Sequence, residues 1–331
     1  MSTSEVMLAC RQLTVTYEPK GALPLRSRHH AVQALRGVDL DIYAGETLAL
    51  VGESGSGKST LARTLVRSMR PTSGNLIFRG ADITALSGRA LRALRRHLQI
   101  IFQDPFGSLN PRLSVGAAVA EPLIVHDLAR GRELRARVTE CLALVGLDGS
   151  MASRRPHEFS GGQRQRICIA RALACRPEFI AADEVLSALD LSLRGQMLDL
   201  FRELKERFAL TYVFISHDLG VVRQISDRVA VMYLGRLVEL ASTADLYIHP
   251  MHPNTHALLA AVPIPDPAIE RARHYTALPG EPPSPANPPS GCAFHTRCPR
   301  AFQRCHGESP ELRELAPGRW VACHRPHLDE P

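Results

Sequence analysis

The first residues with clear chemical potential form the glycine-rich stretch GESGSGKST at 52–60. It matches the pattern G-x-x-x-x-G-K-[ST], in which backbone N–H groups point inward at phosphate oxygens. Gly52, Gly55 and Gly57 allow the backbone to wrap closely around such an anion. A helix beginning near Ser59 presents its positive end to the same phosphates. The stretch predicts a nucleotide site but does not choose among the nucleoside triphosphatases.

Two side chains in this stretch and two further along the chain suit hydrolysis. Lys58 places a cation on the β- and γ-phosphates, and the hydroxyl of Ser59 suits a Mg²⁺ ligand. The strand-like run FIAADE at 179–184 ends in two acids. Asp183 suits the Mg²⁺ shell, and Glu184 suits a general base that polarises the attacking water. An acid pair at a strand end is also common without function, but the phosphate-binding pattern upstream favours the catalytic interpretation.

A second anion-binding pattern is FSGGQ at 159–163, followed by RQRICIARAL. Ser160 suits the cap of a helix, and the two glycines after it let an anion approach the helix N terminus. The chain thus carries two phosphate-seeking sites that are far apart in sequence. A single nucleotide bound within one chain does not account for both.

Short apolar runs and periodic segments indicate the elements that position these residues. Residues 8–17 and 38–42 alternate apolar and polar side chains, as half-buried strands do. The apolar run 47–51 leads directly into the phosphate-binding pattern, and 59–69 reads as the helix after it. This strand–loop–helix order predicts an α/β domain.

The middle of the chain, from about 105 to 175, is predicted to be a helical insertion. Its clearest helices are 132–147 and 161–175. Apolar strands then return, at 179–183, 211–216 and 228–233. Beyond about 250 the composition changes, and 263–290 is rich in proline, which predicts a stiff extended linker.

Taken in order, the motifs GESGSGKST, FQDP, FSGGQRQR, FIAADE, SALD and ISHD resemble the nucleotide-binding subunit of ABC transporters. The resemblance covers most of the first 250 residues. It implies a P-loop NTPase fold with a RecA-like core and a helical subdomain. It also implies that two such domains pair head to tail, with ATP between the phosphate loop of one and the SGGQ motif of the other. That pairing accounts for two anion sites in one chain.

The family roles carry over to individual positions of this sequence. Tyr17 resembles the aromatic residue that stacks on adenine, although a basic segment (18–34) follows it. Gln103 resembles the loop glutamine that senses Mg²⁺ and water, His217 the switch histidine at the γ-phosphate, and Asp190 the end of the loop that crosses the dimer interface. The Mg²⁺ ligands implied are Ser59, Gln103 and Asp183. The nucleotide contacts implied are Tyr17, Gly52, Glu53, Ser54, Gly55, Ser56, Gly57, Lys58, Ser59, Thr60, Ser160, Gly161, Gly162 and Gln163.

A narrower resemblance is to the dipeptide, oligopeptide and nickel import group. It is carried by FGSLNPRLSVG (106–116), YVFISHDLGVV (212–222), VMYLGRLVE (231–239) and HPNTHALLAAVP (252–263). It implies uptake of peptides, or of nickel or another small solute, powered by ATP hydrolysis. The implied partners are a second and distinct ABC ATPase, two membrane permease subunits and an extracytoplasmic solute-binding protein. The implied place is the cytoplasmic face of the inner membrane.

Four of the eight cysteines crowd near the C terminus, at Cys292, Cys298, Cys305 and Cys323. Four thiolates this close suit a tetrahedral metal or a cubane cluster. The import group carries a similar cluster, which implies a [4Fe–4S] centre. Zn²⁺ is the alternative, and four free cysteines in a loosely packed tail is a third. We expect domains at 1–250 and 251–331, the second a small extension that contains the proline-rich linker and this cluster.

Composition and sequence pattern exclude several other functional classes of protein. No run of 18 or more residues is continuously apolar, which argues against a membrane span. The net charge is +7, but the arginines are dispersed and no basic stripe is interleaved with aromatics, so nucleic acid is not expected as a partner. Soluble ABC ATPases of DNA repair carry long coiled coils, and those of translation carry two cassettes; neither feature is found. An iron–sulfur redox protein would leave SGGQ and His217 unexplained.

Overall fold

The computed structural model describes residues 5–18, 31–262, 266, 271 and 278–327. The described strands are β1 (Val6–Tyr17), β2 (Val32–Tyr43), β3 (Thr47–Val51), β4 (Ser73–Phe78), β5 (Ala81–Asp82), β6 (Leu98–Ile101), β7 (Phe179–Asp183), β8 (Thr211–Ile215), β9 (Arg228–Tyr233), β10 (Arg236–Ser242), β11 (Arg313–Ala316) and β12 (Arg319–Val321). The described helices are α1 (Lys58–Leu65), α2 (Gly88–Arg95), α3 (Pro105–Ser108), α4 (Val115–Val125), α5 (Gly131–Leu144), α6 (Gly161–Leu173), α7 (Leu191–Phe208), α8 (Leu219–Ile225), α9 (Thr243–Ile248), α10 (Pro253–Ala260) and α11 (Gln303–Gly307).

The strands form two sheets. An antiparallel sheet has the order β2–β1–β4–β5, and a larger sheet has the order β11–β12–β10–β9–β3–β8–β7–β6. Strands β9, β3, β8, β7 and β6 run parallel to one another, whereas β10 is antiparallel to β9 and to β12, and β11 and β12 form an antiparallel hairpin. In open parallel sheets, ligands bind outside the carboxyl ends of the strands. The phosphate-binding loop follows β3, and the acid pair consists of the last residue of β7, Asp183, and the residue after it, so both lie at that edge.

Burial explains why the central strands could be read from sequence. Every residue of β3, β7 and β8 is buried, as expected for parallel strands covered on both faces. The predicted strands 47–51, 179–183 and 228–233 match β3, β7 and β9, and the predicted 211–216 exceeds β8 by one residue. The α/β fold class is therefore confirmed.

Helices α3 to α6 lie between β6 and β7, where the helical insertion was expected. They share a hydrophobic core that continues under β7 and α7. The predicted helices 132–147 and 161–175 correspond to α5 and α6, each ending a few residues early. Helix α1 also ends before the predicted 59–69, because Arg67 adopts a positive φ of 54° that a helix does not accept. In the part of the chain that the structure describes, no helix is both long and apolar enough to span a bilayer.

The C-terminal region packs on the core rather than forming a loose tail. Hairpin β11–β12 continues the large sheet, with Val321 paired to Glu239 and Trp320 to Leu240. Phe294 is 1% exposed and joins the core cluster formed by β3, β9 and α8. Phe294 and Val321 are both buried, so the region is not the loosely packed tail that was one of the alternatives for the cysteines. The predicted linker 263–290 lies partly outside the described residues.

Replacing Phe294 with leucine is expected to lower the free energy of unfolding by about 1 kcal/mol, since leucine fills the site incompletely. The phenyl ring packs edge-on against Tyr233, with the ring centroids 5.2 Å apart. Urea unfolding of the full chain measures the change. Phe302→Leu is the matched control, because Phe302 is partly exposed in the same region. Equal midpoints for the two variants would contradict the anchoring role of Phe294.

Candidate nucleotide-binding and hydrolysis site

Two glycines of the phosphate-binding loop between β3 and α1 lie where a side chain would clash with the backbone of neighbouring strands. Gly52 has φ +146°, and a Cβ on it would lie 2.2 Å from the carbonyl oxygen of Met232. Gly57 has φ +104°, and a Cβ there would lie 2.5 Å from the carbonyl oxygen of Ala34. These contacts, together with the left-handed φ of Gly57, explain the glycine spacing that the sequence shows.

Lys58 lies folded back into this loop. Its Nζ donates to the carbonyl oxygens of Gly52, at 2.8 Å, and Glu53, at 2.9 Å. Burial lowers the pKa of Lys58, and the nearby carboxylates of Glu184 and Asp183 oppose that shift. The ammonium group is thus held at the loop in the position from which it can turn to a bound phosphate.

Ser59 and Asp183 bring two oxygen ligands together. The Ser59 hydroxyl donates to Oδ1 of Asp183 at 3.0 Å. Asp183 is 3% exposed; burial raises the pKa of its carboxyl group, and the hydrogen bond from Ser59 lowers it. A buried carboxylate beside a hydroxyl is a donor set that Mg²⁺ accepts, and the cation would favour the ionised form. These two residues therefore fit the predicted Mg²⁺ site.

Glu184 is the point at which the predicted catalytic residues meet. Its Oε2 accepts from Nε2 of Gln103 at 2.8 Å and lies 3.6 Å from Nδ1 of His217. Its backbone has φ +49°, in the left-handed region that non-glycine residues rarely adopt, and its N–H donates to the carbonyl oxygen of Ile215. Strain of this kind persists where the surrounding structure requires a defined side-chain position.

The glycine pair of the second anion-binding pattern begins α6. The Ser160 side chain accepts from the Gln163 N–H, and the Gln163 side chain accepts from the Ser160 N–H, which forms a reciprocal cap. A Cβ added at Gly161 would have nothing within 4 Å, so this helix end is open to an external anion. Asp190 similarly caps α7, by accepting from the Leu193 N–H.

Tyr17, predicted to stack on adenine, lies at the end of β1 and is 42% exposed. Its hydroxyl lies 3.2 Å from Oγ1 of Thr60 in α1. The Tyr17 side chain therefore contacts the helix that follows the phosphate-binding loop. Most of the basic segment after it lies outside the described residues. Stacking on the base stays a prediction.

The four C-terminal cysteines lie near one another but do not form a metal site as placed. The pKa of the Cys292 thiol is raised to about 11, chiefly by burial and to a lesser extent by the thiols of Cys305, Cys323 and Cys298. All four are free thiols. Among the described residues, no group of three or more His, Cys, Asp or Glu side chains is arranged to hold a metal ion. This placement does not support the predicted [4Fe–4S] or Zn²⁺ centre.

One contact at the site was missed in the sequence. Arg297, from the C-terminal region, donates through Nη1 to both carboxylate oxygens of Glu53, at 2.7 and 2.8 Å. The two residues are 244 positions apart, so no local pattern signals the pair. In the sequence, Arg297 is noticeable only as an arginine next to Cys298, in GCAFHTRCPR.

Two family models match the chain. One, for ABC transporters, covers residues 35–187, and the other, for the C-terminal region of oligopeptide/dipeptide transporters, covers residues 238–305. Among solved structures, the dimeric ATP-binding cassette MJ0796 bound to ADP and Pi is 31% identical with a TM-score of 0.63, over 72% of this chain and 99% of that one. CbiO1 of Clostridium perfringens, part of the ABC transporter complex cbiONQ, is 26% identical with a TM-score of 0.63, over 74% and 92% of the two chains.

Curated relatives are similar over nearly their whole length. The oligopeptide transport ATP-binding protein AppF of Bacillus subtilis is 53% identical over 88% of this chain and 89% of its own. A putative peptide import ATP-binding protein of Brucella ovis is 48% identical over 98% of this chain and 100% of its own. The phosphate-binding loop, the acid pair and the SGGQ helix all occur in this fold. The chain therefore belongs to the family of ABC transporter ATP-binding proteins, and within it to the group that has the oligopeptide/dipeptide transporter C-terminal region.

Proposed function

We propose that this chain is the ATP-hydrolysing subunit of an ABC importer, which couples hydrolysis to uptake of dipeptides or oligopeptides. The observation that carries the proposal is the convergence of Gln103 and His217 on Glu184, next to the Ser59–Asp183 pair. A base, a phosphate sensor and a Mg²⁺ site at one sheet edge are what hydrolysis of ATP requires. The names of the relatives AppF and YkfD, both of Bacillus subtilis, support peptides as the solute.

The chemistry assigns one role to each residue. Lys58 holds the β- and γ-phosphates, and Ser59 and Asp183 would hold Mg²⁺, which neutralises the charge that develops on the phosphates. Glu184 accepts hydrogen bonds and polarises the attacking water, and Gln103 keeps its carboxylate oriented. His217 contacts the γ-phosphate and reports its presence. The Ser160 helix binds the nucleotide held mainly by the partner ATPase.

The assembly follows from this division of the site between two subunits. We assign residues 1–250 to the ATP-binding domain, with its helical subdomain at 105–175, and 251–331 to the C-terminal extension. Its partners are a second ABC ATPase, forming a heterodimer, two membrane permease subunits and an extracytoplasmic solute-binding protein. The chain then binds at the cytoplasmic face of the inner membrane through those permeases.

Reconstitution tests the function. We expect proteoliposomes that contain the permease subunits, both ATPases and the solute-binding protein to accumulate a labelled dipeptide or oligopeptide only with ATP. Accumulation of Ni²⁺ without peptide uptake would show that the solute is nickel and would leave the importer function standing. ATPase activity that is independent of permeases and of any solute would contradict the importer and favour a soluble ABC ATPase.

A metal centre at the four cysteines is a finer hypothesis. What supports it is the donor set, because four thiols close in sequence suit a tetrahedral metal or a cubane cluster; the placement of the described side chains does not add support. Anaerobic purification followed by iron, sulfide and zinc analysis tests it. We expect iron and acid-labile sulfide in equal amounts, about four of each per chain for a [4Fe–4S] cluster. Stoichiometric zinc would exclude the iron–sulfur form, and a metal-free chain of full activity would exclude both.

A further inference from the structure

The contact between Arg297 and Glu53 joins the C-terminal region to the phosphate-binding loop. The Arg297 side chain is 9% exposed and that of Glu53 is 20% exposed, so water screens this ion pair far less than a surface pair. A single guanidinium nitrogen, Nη1, reaches both carboxylate oxygens. Glu53 is among the predicted nucleotide contacts, whereas Arg297 has been given no role at the site.

Glu53 is bonded from both of its ends. Its carboxylate accepts from Arg297, while its backbone carbonyl accepts from Nζ of Lys58, at 2.9 Å, and from the N–H of Ser56, at 3.2 Å. A change in the backbone torsions at Glu53 therefore moves one of the carbonyl oxygens that orient Lys58, the other being that of Gly52. The ion pair fixes the Glu53 side chain and limits the backbone conformations open to the loop.

Arg297 itself is held in place by buried neighbours. Phe294, three residues earlier, packs edge-on against Tyr233 at the end of β9. The turn after β9 in its turn meets the loop, where the Gly235 N–H donates to the carbonyl oxygen of Ser56 at 2.9 Å. The guanidinium is thus presented to the loop by a packed segment.

A second segment of the C-terminal region also lies beside the loop. Residues 281–285 of the proline-rich segment line a cleft together with Ser54, Gly55 and Leu234. The C-terminal region therefore contacts the loop through Arg297 and lines a cleft beside it through residues 281–285. A change in the packing of the C-terminal region is therefore expected to alter the conformation of the phosphate-binding loop.

We infer that Arg297 is a positioning residue for the nucleotide site: by holding Glu53 it keeps the phosphate-binding loop, and with it Lys58, in the conformation that accepts a nucleoside triphosphate. The inference rests on the proposed ATP binding. It makes the C-terminal region a determinant of nucleotide affinity. Arg297 does not touch the reacting atoms, so its loss raises the Kd and KM for ATP and leaves the rate of the bound complex nearly unchanged.

The test compares Arg297→Gln with wild type in the full chain, by titration with a fluorescent ATP analogue and Mg²⁺ and by steady-state ATPase kinetics. We expect Kd and KM to rise about tenfold, from loss of a partly buried charge-assisted contact, and kcat to change less than about twofold. Arg304→Gln is the matched control: Arg304 forms an exposed ion pair with Glu308 in the same region, and we expect wild-type values for it.

A double-mutant cycle separates this role from a merely structural one. If Arg297 acts through Glu53, the Arg297→Gln/Glu53→Gln double variant binds the analogue no more weakly than Glu53→Gln alone. Additive losses would overturn the proposal, as would wild-type Kd and KM in Arg297→Gln. Arg297→Lys keeps the charge but not the planar guanidinium group, so we expect its Kd and KM to lie between those of wild type and Arg297→Gln.

Arg297→Lys also serves if Arg297→Gln fails to fold, because wild-type Kd and KM in Arg297→Lys would then overturn the proposal. A wild-type chain that binds no ATP analogue would instead refute the proposed function.

Discussion

Glu184→Gln is expected to stop ATP hydrolysis and to leave ATP binding intact. Glutamine has the same shape, so it accepts the left-handed backbone at this position and keeps its place beside Gln103 and His217. It removes the negative charge that polarises the attacking water, which costs at least about 100-fold in kcat. Because ATP then persists, the variant complex is expected to accumulate with its two ATPase subunits closed on the nucleotide.

Single-turnover hydrolysis by the purified complex measures the rate, and size-exclusion chromatography with ATP measures the closed state. Glu206→Gln serves as the control because Glu206 is exposed on α7, and we expect it to turn over normally. Undiminished hydrolysis by Glu184→Gln would show that another group acts as the base. Loss of ATP binding would show that the side chain is needed for the fold of the site.

Gly161→Asp is expected to abolish ATP-driven closure and hydrolysis without unfolding the chain. The space around a Cβ at this position is empty, and its φ is not in the left-handed range, so the substitution is sterically tolerated. An aspartate there places a carboxylate at the helix end where the partner's triphosphate binds. Repulsion between like charges in a closed, poorly hydrated interface costs several kcal/mol, which is enough to prevent closure.

Gly195→Asp is the matched control for this prediction. Gly195 is also helical and exposed, with nothing within 4 Å of an added Cβ, but it lies inside α7 rather than at its N terminus. We expect it to close and hydrolyse ATP normally. Equal ATP binding by both isolated variants, with closure lost only in Gly161→Asp, is the expected pattern. Normal hydrolysis by Gly161→Asp would show that the glycine pair is not needed for ATP hydrolysis.

Most of the core and of the nucleotide site could be read from the sequence, because local patterns encode them. The run 47–51 ends at a glycine-rich loop, and 179–183 ends at two acids, so a buried strand and its functional residues are adjacent in the chain. The glycines of the loop are required by their backbone angles, which makes their spacing specific. Such positions depend little on long-range packing.

The C-terminal region could not be read in this way, because its structure depends on distant partners. Strands Arg313–Ala316 and Arg319–Val321 are short and mostly not buried. They pair with each other, and the second of them also pairs with β10, far earlier in the chain. Phe294 is a single aromatic residue in a polar stretch, and its burial depends on Tyr233. Arg297 resembles any surface arginine until the fold brings Glu53 to it.

The central claim is that one nucleotide is shared between two subunits, and a structure of the Glu184→Gln complex with ATP and Mg²⁺ tests it most directly. The account predicts that the N–H groups of Gly161 and Gly162 lie within hydrogen-bond distance of a triphosphate whose other side is held by the partner ATPase. It also predicts that Lys58 contacts the β- and γ-phosphates of the second nucleotide. A closed complex in which both glycines face solvent, with ATP bound at Lys58, would contradict the account.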